Sequence, residues 1–203
     1  MSTGAAVVDA APQQAHIFPL NTVLFPGGVL PLKVFEQRYI EMTKVCISEN
    51  RSFGVCLIKE GRETGTPAVP QDVGCLARIA QWDMPQLGVF HLQAEGTQRF
   101  RILRSEVEKN GLISATIEHL PDGEVVAPQE SLCGEVLKAI IGKLGAAHFP
   151  APHRFDDAAW IGYRLSEVLP LSLEIKQQLL RIADPQERLT QLSQLLAEQG
   201  LRQ

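Results

Sequence analysis

Residues 18–39 read FPLNTVLFPGGVLPLKVFEQRY, with Pro26, Gly27 and Gly28 set between two apolar runs and a helix-like pattern following at once. Proline at the second position of a tight turn holds φ near the value needed there, and glycine at the third accepts positive φ without steric cost. The stretch therefore predicts extended segments at Val23–Phe25 and Val29–Val34 joined by a rigid reversal. Pro31 has no N–H to give to a ladder, which puts the second segment at a sheet edge or a bulge. From Glu36 to Glu49, Tyr39, Met42 and Cys46 recur at helical spacing, with Phe35 flanking them. Glu36 stands where negative charge favours the start of a helix.

Working outward, the rest of the first half has period two. SFGVCLI (52–58) is an apolar run of strand length, while VGCLARIAQW (73–82), VFHLQA (89–94), RFRIL (99–103) and LISATI (112–117) alternate apolar and polar positions. Short segments of this kind between Gly- and Pro-containing turns predict a mainly antiparallel sheet closed into a small barrel, with the helix after Phe35 covering it. Past LPDGEVVAPQES (120–131) the period changes to 3.6. Ser131 is placed to cap a helix striped by Val136, Leu137, Ile140, Ile141 and Leu144. A second helix starts near Asp156 or Asp157 and stops at Pro170, and a third is capped by Ser172. Asp184-Pro185-Gln186-Glu187 then supplies a capping acid, a first-turn proline and a glutamate three residues on. The fold class is α+β: a loose tail over 1–14, a β pseudo-barrel over 15–122 and a four-helix bundle over 128–203.

Composition narrows the function classes. The 203 residues are 45% hydrophobic with a net charge of −4, which argues against disorder and against general binding of nucleic acid. No apolar run approaches the roughly 18 residues of a membrane span, and MSTGAAVVDAAPQQA has no basic leader region. The cysteines Cys46, Cys56, Cys75 and Cys133 form no CxxC pair and sit among apolar neighbours, so they read as buried reduced thiols in a reducing cytoplasm.

Several strings together carry a family likeness. FPLNTVLFPGGVLPLKVFEQRYIEMTKVC, FGVCLI, VGCLARI, EGTQRFRI and LPLSLEIKQQLLRIADPQERLTQLSQLL resemble the N-terminal, substrate-binding domain of the ATP-dependent Lon proteases, from about Ala15 to Ala197. The resemblance implies a PUA-like pseudo-barrel followed by helices, which recognises protein substrates without catalysis or cofactor. The phosphate-holding G-x-x-x-x-G-K-[ST] loop is absent, since Gly142-Lys143 runs into Leu144. A stand-alone relative of the recognition domain, without ATPase or protease parts, is the expectation. Its expected partners are unfolded or degron-bearing protein segments, with a protease or chaperone beside them. Leucines on more than one face of a bundle helix leave a homodimer open.

Candidate residues follow from chemistry. Phe25, Pro26, Leu30 and Pro31 form a rigid apolar corner that could meet a peptide, against a competing reading in which Phe25 and Leu30 pack inward. Arg99 and Arg101 alternate with Phe100 and Ile102 as in some RNA-binding sheets, against a solvated polar strand face. An RNA-associated barrel is the alternative function. HFPAPHRFDD brings together His148, His153, Asp156 and Asp157 but meets no zinc spacing, and a loop with a capping Asp is the simpler reading. Cys75 and His91 could meet across strands in a small hydrolase, although no G-x-S-x-G elbow is present.

Overall fold

The computed structural model describes residues 12–198 apart from 123, 146–148 and 150. Its elements are β1 (Gln13–Leu20), β2 (Val29–Val34), α1 (Gln37–Glu49), β3 (Phe53–Glu60), β4 (Val69–Pro70), β5 (Val73–Gln86), β6 (Val89–Val107) and β7 (Ile113–Leu120). The helices α2 (Leu132–Leu144), α3 (Ala158–Val168), α4 (Leu173–Arg181) and α5 (Pro185–Glu198) follow. No helix among the described residues is long and apolar enough to cross a membrane.

Strands β1, β7, β6, β5 and β3 pair in that order, and β3 returns to β1 to close a barrel. Every pairing is antiparallel except the closing one, where Ile17 to Leu20 of β1 run parallel to Gly54 to Leu57 of β3. Alternation sorts the side chains. Ile17, Cys56, Leu76, Phe100, Ala115 and Ile117 form one cluster drawn from all five barrel strands. Gly54 and Gly74 make room for it, because a Cβ at either position would press into the Phe100 ring. Phe18, Phe53, Val55, Cys75, Phe90 and Leu92 lie on the other face, where Tyr39, Met42 and Cys46 of α1 cover them as the helical spacing required. The α+β barrel with a covering helix is therefore as expected.

The reversal at Pro26 forms as the residues dictate. The Gly28 N–H donates to the Phe25 carbonyl at 2.9 Å and Gly27 has φ +75°, the geometry of a type II turn. The strand ahead of it differs from the expectation. Among the described residues Val23–Phe25 has no strand partner, and the strand ahead of the turn is β1, which pairs with β7 and β3 and begins at Gln13 within the segment assigned to a loose tail. Residues 1–11 of that tail lie outside the described residues. Val23 and Phe25 instead join the cluster of the helical part.

VFHLQA and RFRIL, expected as two strands, are halves of the single 19-residue β6. Gly96 between them is no turn. It brings the strand against the reversal, with Gly27 N–H donating to the Gly96 carbonyl at 2.7 Å and Gly96 N–H to the Gly28 carbonyl at 2.8 Å. A Cβ at Gly96 would run into the Phe25 carbonyl oxygen.

The C-terminal helices start largely where capping chemistry places them. Asp157 accepts from Ala159 N–H at 2.9 Å and Trp160 N–H at 3.2 Å, and Ser172 accepts from Ile175 N–H at 3.3 Å. Asp184 accepts from Gln186 N–H at 3.0 Å ahead of Pro185. Ser131 occupies the cap position of α2 but its hydroxyl makes no capping bond. The helical part is not sealed off from the barrel: Phe25, Leu57 and Val73 belong to the same hydrophobic cluster as Leu137, Ile161 and Leu189.

Candidate functional site

The apolar corner singled out from sequence divides between junction and surface. Phe25 is fully buried, its ring 5.9 Å from Tyr163 of α3, so it is not displayed to a partner. The backbone of the turn is gripped as well. Arg164 donates to the Pro26 carbonyl at 2.6 Å and the Gly27 carbonyl at 2.7 Å, and pairs with Glu167 at 3.0 Å. Glu167 lies over Gly28, where a Cβ would strike its carboxylate. Burial pushes the Glu167 carboxyl up to about 7, against the opposing pull of Arg164 and Lys176. Phe25 and Pro26 thus couple barrel to bundle. Leu30 is half-buried against the barrel cluster and Pro31 is exposed. With Phe35, which is 54% exposed, they line a groove of ≈ 290 Å³ whose wall includes Phe18 and Tyr39, stacked at 3.9 Å.

Arg99 is the clearest correction to the sequence reading. It is fully buried, whereas Arg101 is exposed. Its Nε donates to Asp122 at 2.8 Å, Nη1 to the carbonyls of Leu180 at 3.1 Å and Ile182 at 2.9 Å, and Nη2 to that of Pro121 at 3.2 Å. The Tyr163 hydroxyl also donates to Asp122, and the Arg188 guanidinium stacks 4.1 Å from the Tyr163 ring centre. A guanidinium spent on the end of α4 has nothing left for a nucleic acid.

The other constellations come apart. Cys75 is buried opposite Arg99, its thiol held up by burial and bonded at 3.4 Å to the Leu76 carbonyl. His91 pairs with Asp83 and Lys33 on the exposed side of β6, so the two never meet. His153 bonds the Phe149 carbonyl at 2.9 Å and Asp157 is spent on its helix cap, while His148 lies outside the described residues. Among the described residues no group of three or more His, Cys, Asp or Glu could hold a metal ion.

What sequence reasoning missed is the tip of the β5–β6 hairpin. Gln86 pairs with Val89, leaving Leu87-Gly88 as the connection, with Gly88 at φ +82° and Leu87 95% exposed. Trp82 and Met84 precede it on β5, 52% and 42% exposed, and the Trp82 ring leans on Phe90 at 5.9 Å. Facing them, Ile40 and Ile47 of α1 complete an apolar groove of ≈ 450 Å³. A second groove, of ≈ 490 Å³, lies on the other side of Trp82 against Pro31, Leu32 and Lys33 of β2. Contiguous exposed apolar surface of this kind marks an interaction site. The available signal was WDMPQLG: a leucine beside glycine at a strand-to-strand connection has no interior to face.

Among the described residues β2 pairs with β6 alone, which leaves its outer edge without a strand partner there. Continuing the ladder alternation from the Gly96 N–H to Gly28 carbonyl bond turns the Pro31 nitrogen toward that edge. A proline and the neighbouring Lys33 blunt it against strand addition, which leaves docking by side chains as the mode the surface favours.

Comparison with known proteins agrees with this architecture. Residues 14–198 match the family model described as the ATP-dependent protease La (LON) substrate-binding domain. The Lon protease of Anaeromyxobacter dehalogenans is 27% identical over 196 residues, covering 91% of this chain and 23% of that protein. The chain thus spans about a quarter of the length of the curated relatives it matches. A crystal structure of a Lon N-terminal domain protein from Xanthomonas campestris superposes with a TM-score of 0.74 at 37% identity, covering 89% of this chain and 96% of that one. The N-terminal domain of a Mycobacterium avium complex Lon protease matches with a TM-score of 0.67 at 19% identity, over the same shares of both chains, and bears on the fold alone.

Proposed function

The chain belongs to the substrate-binding-domain family of the ATP-dependent protease La (Lon), and on that footing we propose that it is a recognition module that holds unfolded or degron-bearing protein segments and performs no bond chemistry itself. The observation that carries the reading is the hairpin tip: Trp82, Met84 and Leu87 stand exposed beside the apolar wall of α1. Folded client proteins hide the side chains that would fill such a groove, whereas unfolded ones expose them, so the surface selects for loss of structure. Work of this kind belongs beside a protease or chaperone. A reducing cytoplasm suits the four buried free thiols.

The test is retention of a permanently reduced, unfolded protein on the immobilised chain. Leu87→Asp alters a side chain exposed to solvent, and Trp82→Ala one that is about half-exposed and rests on Phe90. Each removes apolar area whose burial contributes about 1.5–3 kcal/mol, so retention should fall roughly tenfold or more. Equal retention by both variants, or none by the wild type, would refute the proposal.

A further inference from the structure

Trp82 is the common wall of the two grooves, and one lysine lines each: Lys44 beside Met84 and Leu87, Lys33 beside Leu92 and His91. Both lysines are exposed, and among the described residues neither has a carboxylate within ion-pair distance. The nearby acids are mostly engaged. Glu41 accepts from Gln37 at 3.0 Å and Asn110 at 3.2 Å, Glu36 pairs with Arg38 at 2.9 Å, and Glu95 pairs with Arg78. Glu63 accepts from the Asn21 N–H at 2.6 Å, and Asp83 accepts from the Met84 N–H at 2.8 Å. An apolar strip with an exposed ammonium on either side of its central tryptophan is thus embedded in a chain whose net charge is −4, although Lys44 also attracts Glu41 and Asp83 shares the groove of Lys33.

We infer that the preferred occupant is a protein segment in which a short apolar core is flanked on both sides by carboxylates, the core lying across Trp82 and the acids reaching Lys33 and Lys44. This rests on the recognition reading above and adds a charge rule to it. Paired ends would fix the segment's register, because sliding by a few residues would part both carboxylates from their lysines at once. The chain's overall negative charge opposes acidic clients at long range. The preference is therefore a short-range effect of these two side chains and should weaken as salt rises.

The experiment uses the full chain and labelled synthetic peptides sharing one Leu/Phe/Val core, flanked by Asp, Ser or Lys. Exposed ion pairs are weak, so each lysine should favour the Asp-flanked peptide over the Ser-flanked one by about twofold to fivefold, and the Lys-flanked peptide should bind worst. Replacing both lysines, as Lys33→Glu with Lys44→Glu, should invert the order. Three outcomes would overturn the inference. If all three peptides bind alike, and Leu87→Asp weakens all of them, the recognition surface survives but the charge rule falls. If none binds, the recognition reading itself fails. If the wild-type chain dimerises at assay concentration and Leu87→Asp is monomeric, a second copy fills the groove instead.

Discussion

Replacing Arg99 by methionine keeps most of the buried stem and removes the guanidinium that ties β6 to the end of α4. The change strands the carbonyl of Leu180, leaves that of Ile182 to Arg188 alone, and leaves Asp122 with Tyr163 as its remaining bonding partner in this network. Removing the buried member of such a pair costs toward the lower end of about 3–5 kcal/mol, since Asp122 is 30% exposed, and the orphaned Leu180 carbonyl adds about 1 kcal/mol. About 4 kcal/mol is a large share of the roughly 5–15 kcal/mol that holds a typical domain together. With a urea slope of about 2 kcal/mol per molar, the unfolding midpoint should drop by about 2 M. The internal control is Arg101→Met, two residues along the same strand and exposed, which should move stability by no more than about 0.5 kcal/mol. Equilibrium urea unfolding followed by Trp82 and Trp160 fluorescence reads both. If Arg99→Met unfolds within about 1 kcal/mol of Arg101→Met, the barrel and bundle are not joined through this side chain and the reasoning is refuted.

Two further perturbations probe the junction at the turn. The folded state holds the Glu167 proton more tightly than the unfolded chain, so wild-type stability from this group is full below pH 4.5 and declines as pH rises toward about 7. Glu167→Gln should flatten that slope, recovering about 1–3 kcal/mol at pH 8 relative to pH 5; urea titrations across pH in which variant and wild type run parallel would contradict it. Gly96→Ala drives a Cβ into the Phe25 carbonyl and unseats the bonds to Gly27 and Gly28, for an expected loss of about 2–3 kcal/mol and a Tm lower by about 5–10 °C. An unchanged Tm by calorimetry would mean that the turn does not depend on close approach to β6.

Local pattern was enough for much of this fold. Proline followed by two glycines dictated a type II turn, spacing dictated α1, and Asp157, Ser172 and Asp184 marked helix starts, because each depends on a few neighbouring residues and on backbone geometry. β1 was harder to read, since Gln13 and Gln14 look like a tail until β7 pairs with them. Gly96 looked like a break between strands because a glycine that permits close approach and one that turns the chain are identical in one dimension. The candidate site shows the same division. Leu30 and Pro31, expected on an apolar corner, lie on a groove, whereas Phe25 went inward and Trp82, Met84 and Leu87 are exposed.

The sequence by itself determined the α+β class, the rigid reversal and the alternating faces, which follow from period, propensity and steric restriction along the chain, while the family was legible only through the resemblance of its motifs. Only the tertiary structure decided which face of a strand is buried and by what. Arg99 alternates like a solvated residue, yet α4 arrives over it and supplies carbonyls for its hydrogens. Leu87 has the hydrophobicity of a core residue, yet it caps a hairpin tip that no other element among the described residues covers. Burial is settled by packing between segments far apart in sequence, and no local pattern carries that information.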